Sequence, residues 1–323
     1  NFRIVMIKSF FEKRKICPAC ESKKITIRYQ ANYSDQAIKQ YLIDFYSPQG
    51  GVEFQYIDNE EYILCDCKSC GLIFQKNIPN DFLMERLYEH WIDPVIAFEN
   101  RNNRFKMNPG IHANYAKEIM TIGSYFKTSP SDTRFLDFGM GWSDWLLMAN
   151  GFGYQCYGLE LSESRIKYAE SRGVKVIEWE QAKNLSFDFI NTEQVFEHIS
   201  EPLETLKELK TFLKPGGLIK ISVPSANDIE RRLKLMDWEA KKGTKNSLNN
   251  VAPLEHIQCF SRSSLINMAG IAGMTEVKIP LIKQWNNSSG WFHPKGFFRN
   301  LLIPVYRNLL RKQNYIFLTS KVN

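Results

Sequence analysis

Residues 134–160 read RFLDFGMGWSDWLLMANGFGYQCYGLE, and the order of parts in this stretch decides the fold. Phe135, Leu136 and Phe138 form a short apolar run suited to a buried strand, and Gly139 and Gly141 follow where a helix begins. Glycines at such a turn let backbone approach a ligand. Ser143 and Asp144 then open an amphipathic segment through Trp145, Leu146 and Leu147 that stops at Gly151. Gln155 to Leu159 supply a second strand, and Glu160 ends it, an acid placed where ribose hydroxyls are commonly held.

The alternation continues downstream. Ser162 is placed to cap a helix over 163–171, Gly173 ends it, and 174–177 reads as a strand. The segment 178–183 follows as a loop, 187–192 is a fourth strand, and 193–199 (EQVFEHI) sets a carboxylate and an imidazole at its mouth. A helix over 202–212, a Pro-Gly-Gly turn from Pro215 and a strand over 218–223 complete a doubly wound pattern. Residues 225–252 are more polar and read as an insertion covering a cleft. Ser261 caps a further helix, and 275–282 reads as a strand pairing with 315–320.

The set Asp137-x-Gly139-x-Gly141, Glu160, Phe187-Asp-Phe-Ile, Glu197-His198-Ile, Leu213-Lys-Pro-Gly-Gly and Glu255-His256-Ile resembles a class I S-adenosylmethionine-dependent methyltransferase from about residue 130 to the end. The resemblance implies an α/β, Rossmann-like doubly wound sheet of seven strands with the last antiparallel, and S-adenosylmethionine as cofactor. It places Asp137, Gly139, Gly141, Glu160, Glu180, Gln181 and Gln194 at that cofactor, Glu180 and Gln181 near the adenine. Ser143 stands where such families often carry a third glycine. Methyl transfer to a hydroxyl or carbon needs a proton acceptor, and histidine titrates in the right range. His198 ranks first of five histidines and His256 second, with Glu197 and Glu255 placed to orient a ring or hold a substrate hydroxyl. A structural role, packing or capping a helix start, competes for each.

Five of the seven cysteines lie between residues 17 and 70, as Cys17-Pro-Ala-Cys20 and Cys65-Asp-Cys67-Lys-Ser-Cys70-Gly. Two such pairs in a reducing compartment point to a structural Zn²⁺ held by Cys17, Cys20, Cys67 and Cys70 rather than to disulfides. Cys65 alternates with Cys67 along a strand and reads as a packed thiol. The long stretch between the pairs is expected to hold a helix or hairpin around 37–45. The expected domains are a zinc ribbon with insertion over 1–79, a helical linker over 80–125 in which Tyr88, His90 and Trp91 either reach into the substrate cleft or, as the simpler reading, pack their helix, and the methyltransferase domain over 126–323 with its basic C-terminal helix.

The chain has 323 residues, 44% hydrophobic and 13% aromatic, enough for a full core and a second small domain. Its formal charge of +7 sits at the end: 277–323 holds eight Lys or Arg and no acid, leaving 34 basic against 35 acidic groups elsewhere. A near-neutral body argues against nucleic acid as a partner. Within 294–312, Phe298, Leu302, Val305 and Leu309 share a helical face opposite Arg307 and Arg311, a pattern that packs on protein or lies on an anionic membrane. No apolar run is long enough to span a bilayer and no signal-peptide pattern opens the chain, so a cytoplasmic location is expected, with peripheral contact at the inner membrane surface through that helix. The chain starts at Asn1, which leaves preceding residues open.

A ribbon joined to the two Glu-His-Ile motifs resembles bacterial methyltransferases of sugar and surface-polysaccharide pathways, which implies a small-molecule or glycan acceptor, nucleotide- or lipid-linked. RNA or protein methylation, and a SAM-binding scaffold without catalysis, stand as alternatives, and self-association stays open.

Overall fold

The computed structural model describes residues 9–287, 297–298, 300–302, 304–305 and 315–321. Its strands are β1 (Phe11–Lys13), β2 (Ile25–Asn32), β3 (Glu61–Cys67), β4 (Ile73–Gln75), β5 (Asn77–Pro79), β6 (Arg134–Phe138), β7 (Gln155–Leu159), β8 (Lys175–Val176), β9 (Phe187–Glu193), β10 (Leu213–Ser222), β11 (Gln258–Cys259), β12 (Met274–Val277) and β13 (Tyr315–Ser320). The chain divides into two compact units, one of residues 1–99 with 228–259 and one of 100–227 with 260–323.

The second unit is built on a seven-stranded sheet of order β12-β13-β10-β9-β6-β7-β8. Its neighbours are parallel except that β13 runs antiparallel to both β10 and β12. This is the α/β sheet expected from the alternation of apolar strands and capped helices. Strand order reverses between β6 and β9, and ligands in open α/β sheets bind beyond the carboxyl ends of the strands at such a switch point. Phe135, Phe189, Leu218 and Phe317 from four strands pack with Trp145, Leu146 and Ala149 of helix Asp144–Gly151 and Ile119 and Ile122 of helix Gly110–Phe126. Burial of the Phe, Leu and Ile side chains among these contributes about 1.5–3 kcal/mol each.

Two local expectations are corrected. The Pro-Gly-Gly segment is not a free turn before a strand: β10 begins at Leu213 and absorbs it as an irregularity between Leu213 and Leu218. The strand expected over 275–282 stops at Val277, and helix Leu281–Asn286 starts immediately after Pro280. Proline cannot donate to a ladder but suits the entry of a helix.

The first unit holds the four-stranded antiparallel sheet β11-β4-β3-β2 and the pair β1-β5. Helix Gln36–Tyr46 fills the interval between β2 and β3, its buried Ile38, Leu42 and Tyr46 spaced for one face. Residues 228–259, read from sequence as part of the C-terminal domain, cluster here instead. Trp238 sits against the rings of Tyr29, Tyr41 and Tyr62, and the Tyr62 hydroxyl donates to the Val251 carbonyl at 2.5 Å. Arg28 bridges Asp66 and Glu230.

Of the basic segment 294–312, Phe298 and Leu302 are exposed, whereas Arg307, Leu309 and Arg311 lie outside the described residues. Among the described residues no helix is long and apolar enough to cross a membrane.

Candidate functional site

In the second unit the chain leaves β6 through Gly139 and Gly141, whose φ angles of +68° and +53° are in the left-handed region. The two glycines have different reasons to be there. A Cβ on Gly139 would come within 2.7 Å of Val195 Cγ2, whereas one on Gly141 would meet nothing within 4 Å. The first is a packing glycine and the second borders open space. Ser143 also has a positive φ, +58°, and is fully buried, so the position lacking a third glycine still adopts the left-handed turn.

Glu160, at the end of β7, ties this turn together. Its Oε2 accepts the Gly141 N–H at 2.8 Å, and Oε1 accepts those of Leu161 and Ser162 at 2.9 and 3.2 Å. A carboxylate has about four acceptor sites, so ribose hydroxyls can share it with these amides. Arg165 stands 3.8 Å from Glu160 and lies over the Trp142 ring, and Arg101 pairs with Asp144 in the first turn of the following helix.

Asp137 is buried, and its Oδ1 accepts from Asn191 Nδ2 at 2.8 Å. Burial pushes its carboxyl up to about 7, Asn191 opposing and Glu193 adding to the rise, with smaller opposite effects from Lys220 and Glu160. Lys220 is itself 2% exposed, its Nζ 2.7 Å from Glu118 Oε1 and 3.1 Å from Glu193 Oε2. Asn191 and Lys220 were not legible as site residues, because nothing local marks either one among the other polar residues of β9 and β10. Register brings them together, Asn191 pairing with Asp137 on one side and Lys220 on the other.

Gln194, the residue after β9, is exposed and has φ +56°. Glu197 and His198 follow in a short 3₁₀ turn over Phe196–His198, Glu197 buried and the two side chains 3.8 Å apart. Glu180 and Gln181 lie in a short helix, Trp179–Ala182, rather than a loop. Glu180 is paired with Lys183 at 2.6 Å, and Gln181 Oε1 accepts the Glu178 N–H in a capping box. Both side chains already have local partners.

Glu255 and His256 belong to the first unit. His256 is buried and its Nδ1 is hydrogen-bonded to the Asn249 carbonyl. A carbonyl only accepts, so Nδ1 carries the proton and neutral His256 keeps its lone pair on Nε2. Glu255 is half-buried and its field acts on Tyr41 and Tyr46, which burial first of all holds well above the usual phenol range.

The first unit also gathers Cys17, Cys20, Cys67 and Cys70, with all four Sγ atoms within 4.8 Å of one another. Two matched turns bring them there. Cys17 N–H donates to Ser22 and Glu21 N–H to Cys17, just as Cys67 N–H donates to Leu72 and Gly71 N–H to Cys67. Glu21 and Gly71 both take positive φ, +58° and +76°. Sγ separations are 3.6 Å for Cys17–Cys70 and 3.5 Å for Cys20–Cys67, against about 3.8 Å for thiolates around one tetrahedral Zn²⁺. The Cys67 thiol lies lowered to about 7: burial opposes this, but the Cys70 and Ser69 N–H groups and neighbouring thiols outweigh it. Hydrogen bonding to Cys70 and burial push Cys17 up. Cys65 is buried on β3, outside this group.

Sheet order, glycine turn and the acid ending β7 define a class I S-adenosylmethionine-dependent methyltransferase domain. The family model described as a methyltransferase domain matches residues 107–278, more than half of the chain, and the chain belongs to that family. No curated protein sequence matches it. Among solved structures it is similar to the plantazolicin methyltransferase BpumL in complex with SAH, at 17% identity over 74% of this chain and 94% of that one, TM-score 0.46. It is also similar to a possible histamine N-methyltransferase from Thermotoga maritima, at 22% over 55% and 80%, TM-score 0.37. A third is a putative sarcosine dimethylglycine methyltransferase from Galdieria sulphuraria, at 16% over 66% and 86%, TM-score 0.39. The protein is an S-adenosylmethionine-dependent methyltransferase.

Proposed function

We propose that this methyltransferase acts on a small-molecule or glycan acceptor, a sugar hydroxyl or carbon, and that its first unit is a zinc-stabilised module. The observation that carries the reading is the pairing of an open glycine turn in one unit with a four-thiol cluster in the other. A four-thiolate site has no open coordination position, so its Zn²⁺ holds structure.

Gly139, Gly141 and Glu160 form the cofactor cradle, with Asp137 and Gln194 beside it and Glu180 and Gln181 as further contacts. When bound, S-adenosylmethionine supplies an electrophilic methyl carbon, and the chain's task is to align an acceptor atom with it and keep water away. His198, beyond the carboxyl end of β9, takes the acceptor's proton, with Glu197 orienting it. His256 is the second candidate, its Nδ1 fixed and Nε2 basic, with Glu255 at hand for a substrate hydroxyl. Peripheral membrane contact through 294–312 fits a lipid-linked acceptor.

Incubation with S-adenosylmethionine and a panel of nucleotide sugars and sugar phosphates, read by mass spectrometry, tests the acceptor class. A mass gain of one methylene on a panel member supports it. Methylation confined to added RNA or protein replaces it.

A further inference from the structure

Lys220 is the most costly polar residue of the sheet that the cofactor cradle leaves unexplained. A lysine 2% exposed on an interior strand is stable only with partners, and it has two, Glu118 and Glu193. Glu118 comes from helix Gly110–Phe126 and also accepts from Trp145 Nε1 at 3.0 Å. Glu193 ends β9, at the carboxyl edge of the sheet where ligands bind. On the same face Asp137, Asn191 and Lys220 stand in register across β6, β9 and β10. One cation therefore serves Glu118, Glu193 and the buried Asp137, and the row carries an excess of negative charge.

We propose that Lys220 is a positioning residue for the cationic methionine end of the cofactor: it holds Glu193 at the strand end and aims the acidic row of Glu193 and Asp137 at that charge. The inference rests on the cradle reading. With ribose held by Glu160 at the end of β7, the other end of the cofactor extends toward β9, where this row lies. A cation there offsets the acidic excess that Lys220 alone leaves uncompensated.

The groups acting on Asp137 are Asn191 and Glu193 of β9, Lys220 of β10, Glu160 and Cys156 of β7, and Tyr115 of the covering helix. Lys220 favours its charged form and Glu193 disfavours it, so the two can be separated by substitution. The experiment is calorimetric binding of S-adenosylhomocysteine, which keeps the α-ammonium, between about pH 5.5 and 8.

In the unaltered protein affinity rises with pH through a midpoint near 7 as Asp137 ionises and levels toward pH 8. Lys220→Met moves that midpoint up by about one unit and weakens binding about tenfold at pH 5.5, about fivefold at pH 7 and about twofold at pH 8. Glu193→Gln, which retains the lysine, moves the midpoint down and decides the matter where Lys220→Met does not fold. A purely structural lysine would weaken binding equally at every pH, and midpoints unmoved in the folded variants overturn the proposal. Failure of the unaltered protein to bind at any pH overturns the cradle reading itself.

Discussion

Replacing Gly141 by alanine separates what the glycine turn does for folding from what it does for ligand binding. The residue has φ +53°, and a Cβ there meets no atom within 4 Å. An L-residue held in the left-handed region costs about 1–2 kcal/mol, and no overpacking adds to it. Gly139→Ala differs: the same backbone cost is joined by a Cβ 2.7 Å from Val195 Cγ2 and 3.1 Å from Cγ1, and overpacking adds about 1–3 kcal/mol. Urea unfolding should therefore show Gly141→Ala less stable by about 1–2 kcal/mol and Gly139→Ala by about 2–5 kcal/mol. On the proposed cradle, the new methyl of Gly141→Ala takes up space in which backbone would meet cofactor. Its affinity for S-adenosylhomocysteine should fall at least tenfold, about 1.4 kcal/mol, in protein that is still folded. Affinity within about twofold of the original, with the stability loss as expected, would refute this space as the cofactor's.

Three further outcomes follow from the same geometry. Burial holds the Asp137 carboxyl up to about 7, above an unfolded value near 4. Between those values the folded state keeps a proton the unfolded state has lost, so cofactor-free stability falls as pH rises from about 4 to about 7 and is flat above. Asp137→Asn should remove that slope, gain about 2–4 kcal/mol at pH 8 in urea unfolding and lose cofactor affinity; an unchanged slope would exclude Asp137 as its source. Cys17→Ser should lower bound zinc from about one equivalent to near zero and unfold the first unit, since structural Zn²⁺ contributes folding energy directly; a stably folded variant without metal would contradict the zinc reading. His198→Ala should reduce methyl transfer by about 10²-fold or more with cofactor affinity nearly unchanged, and unaltered turnover would pass the role to His256, tested the same way.

The sheet was legible because its strands are short apolar runs broken by helix caps and glycines, an order that sets Asp137 in β6, Gly139 and Gly141 in the turn after it and Glu160 just beyond β7. The cysteine turns were legible for a similar reason: spacing within each pair fixes a tight loop, and the structure brings all four sulfurs together. What stayed hidden depends on contacts distant in sequence. Lys220 and Asn191 acquire meaning only through register across three strands. Residues 228–259 return to the first unit because Trp238 packs among Tyr29, Tyr41 and Tyr62, some two hundred residues earlier. Pro280, by contrast, was a readable signal that the strand before it had ended.

The central claim is that this methyltransferase serves a small-molecule or glycan acceptor, and transfer of label tests it most directly. The protein is incubated with methyl-labelled S-adenosylmethionine and a host lysate, and small-molecule, lipid-extractable, nucleic-acid and protein fractions are counted. Label in the small-molecule or lipid fraction, lost in His198→Ala, is the predicted result. Label confined to nuclease-sensitive or protease-sensitive material would contradict it and make the four-cysteine unit a recognition module for a macromolecule.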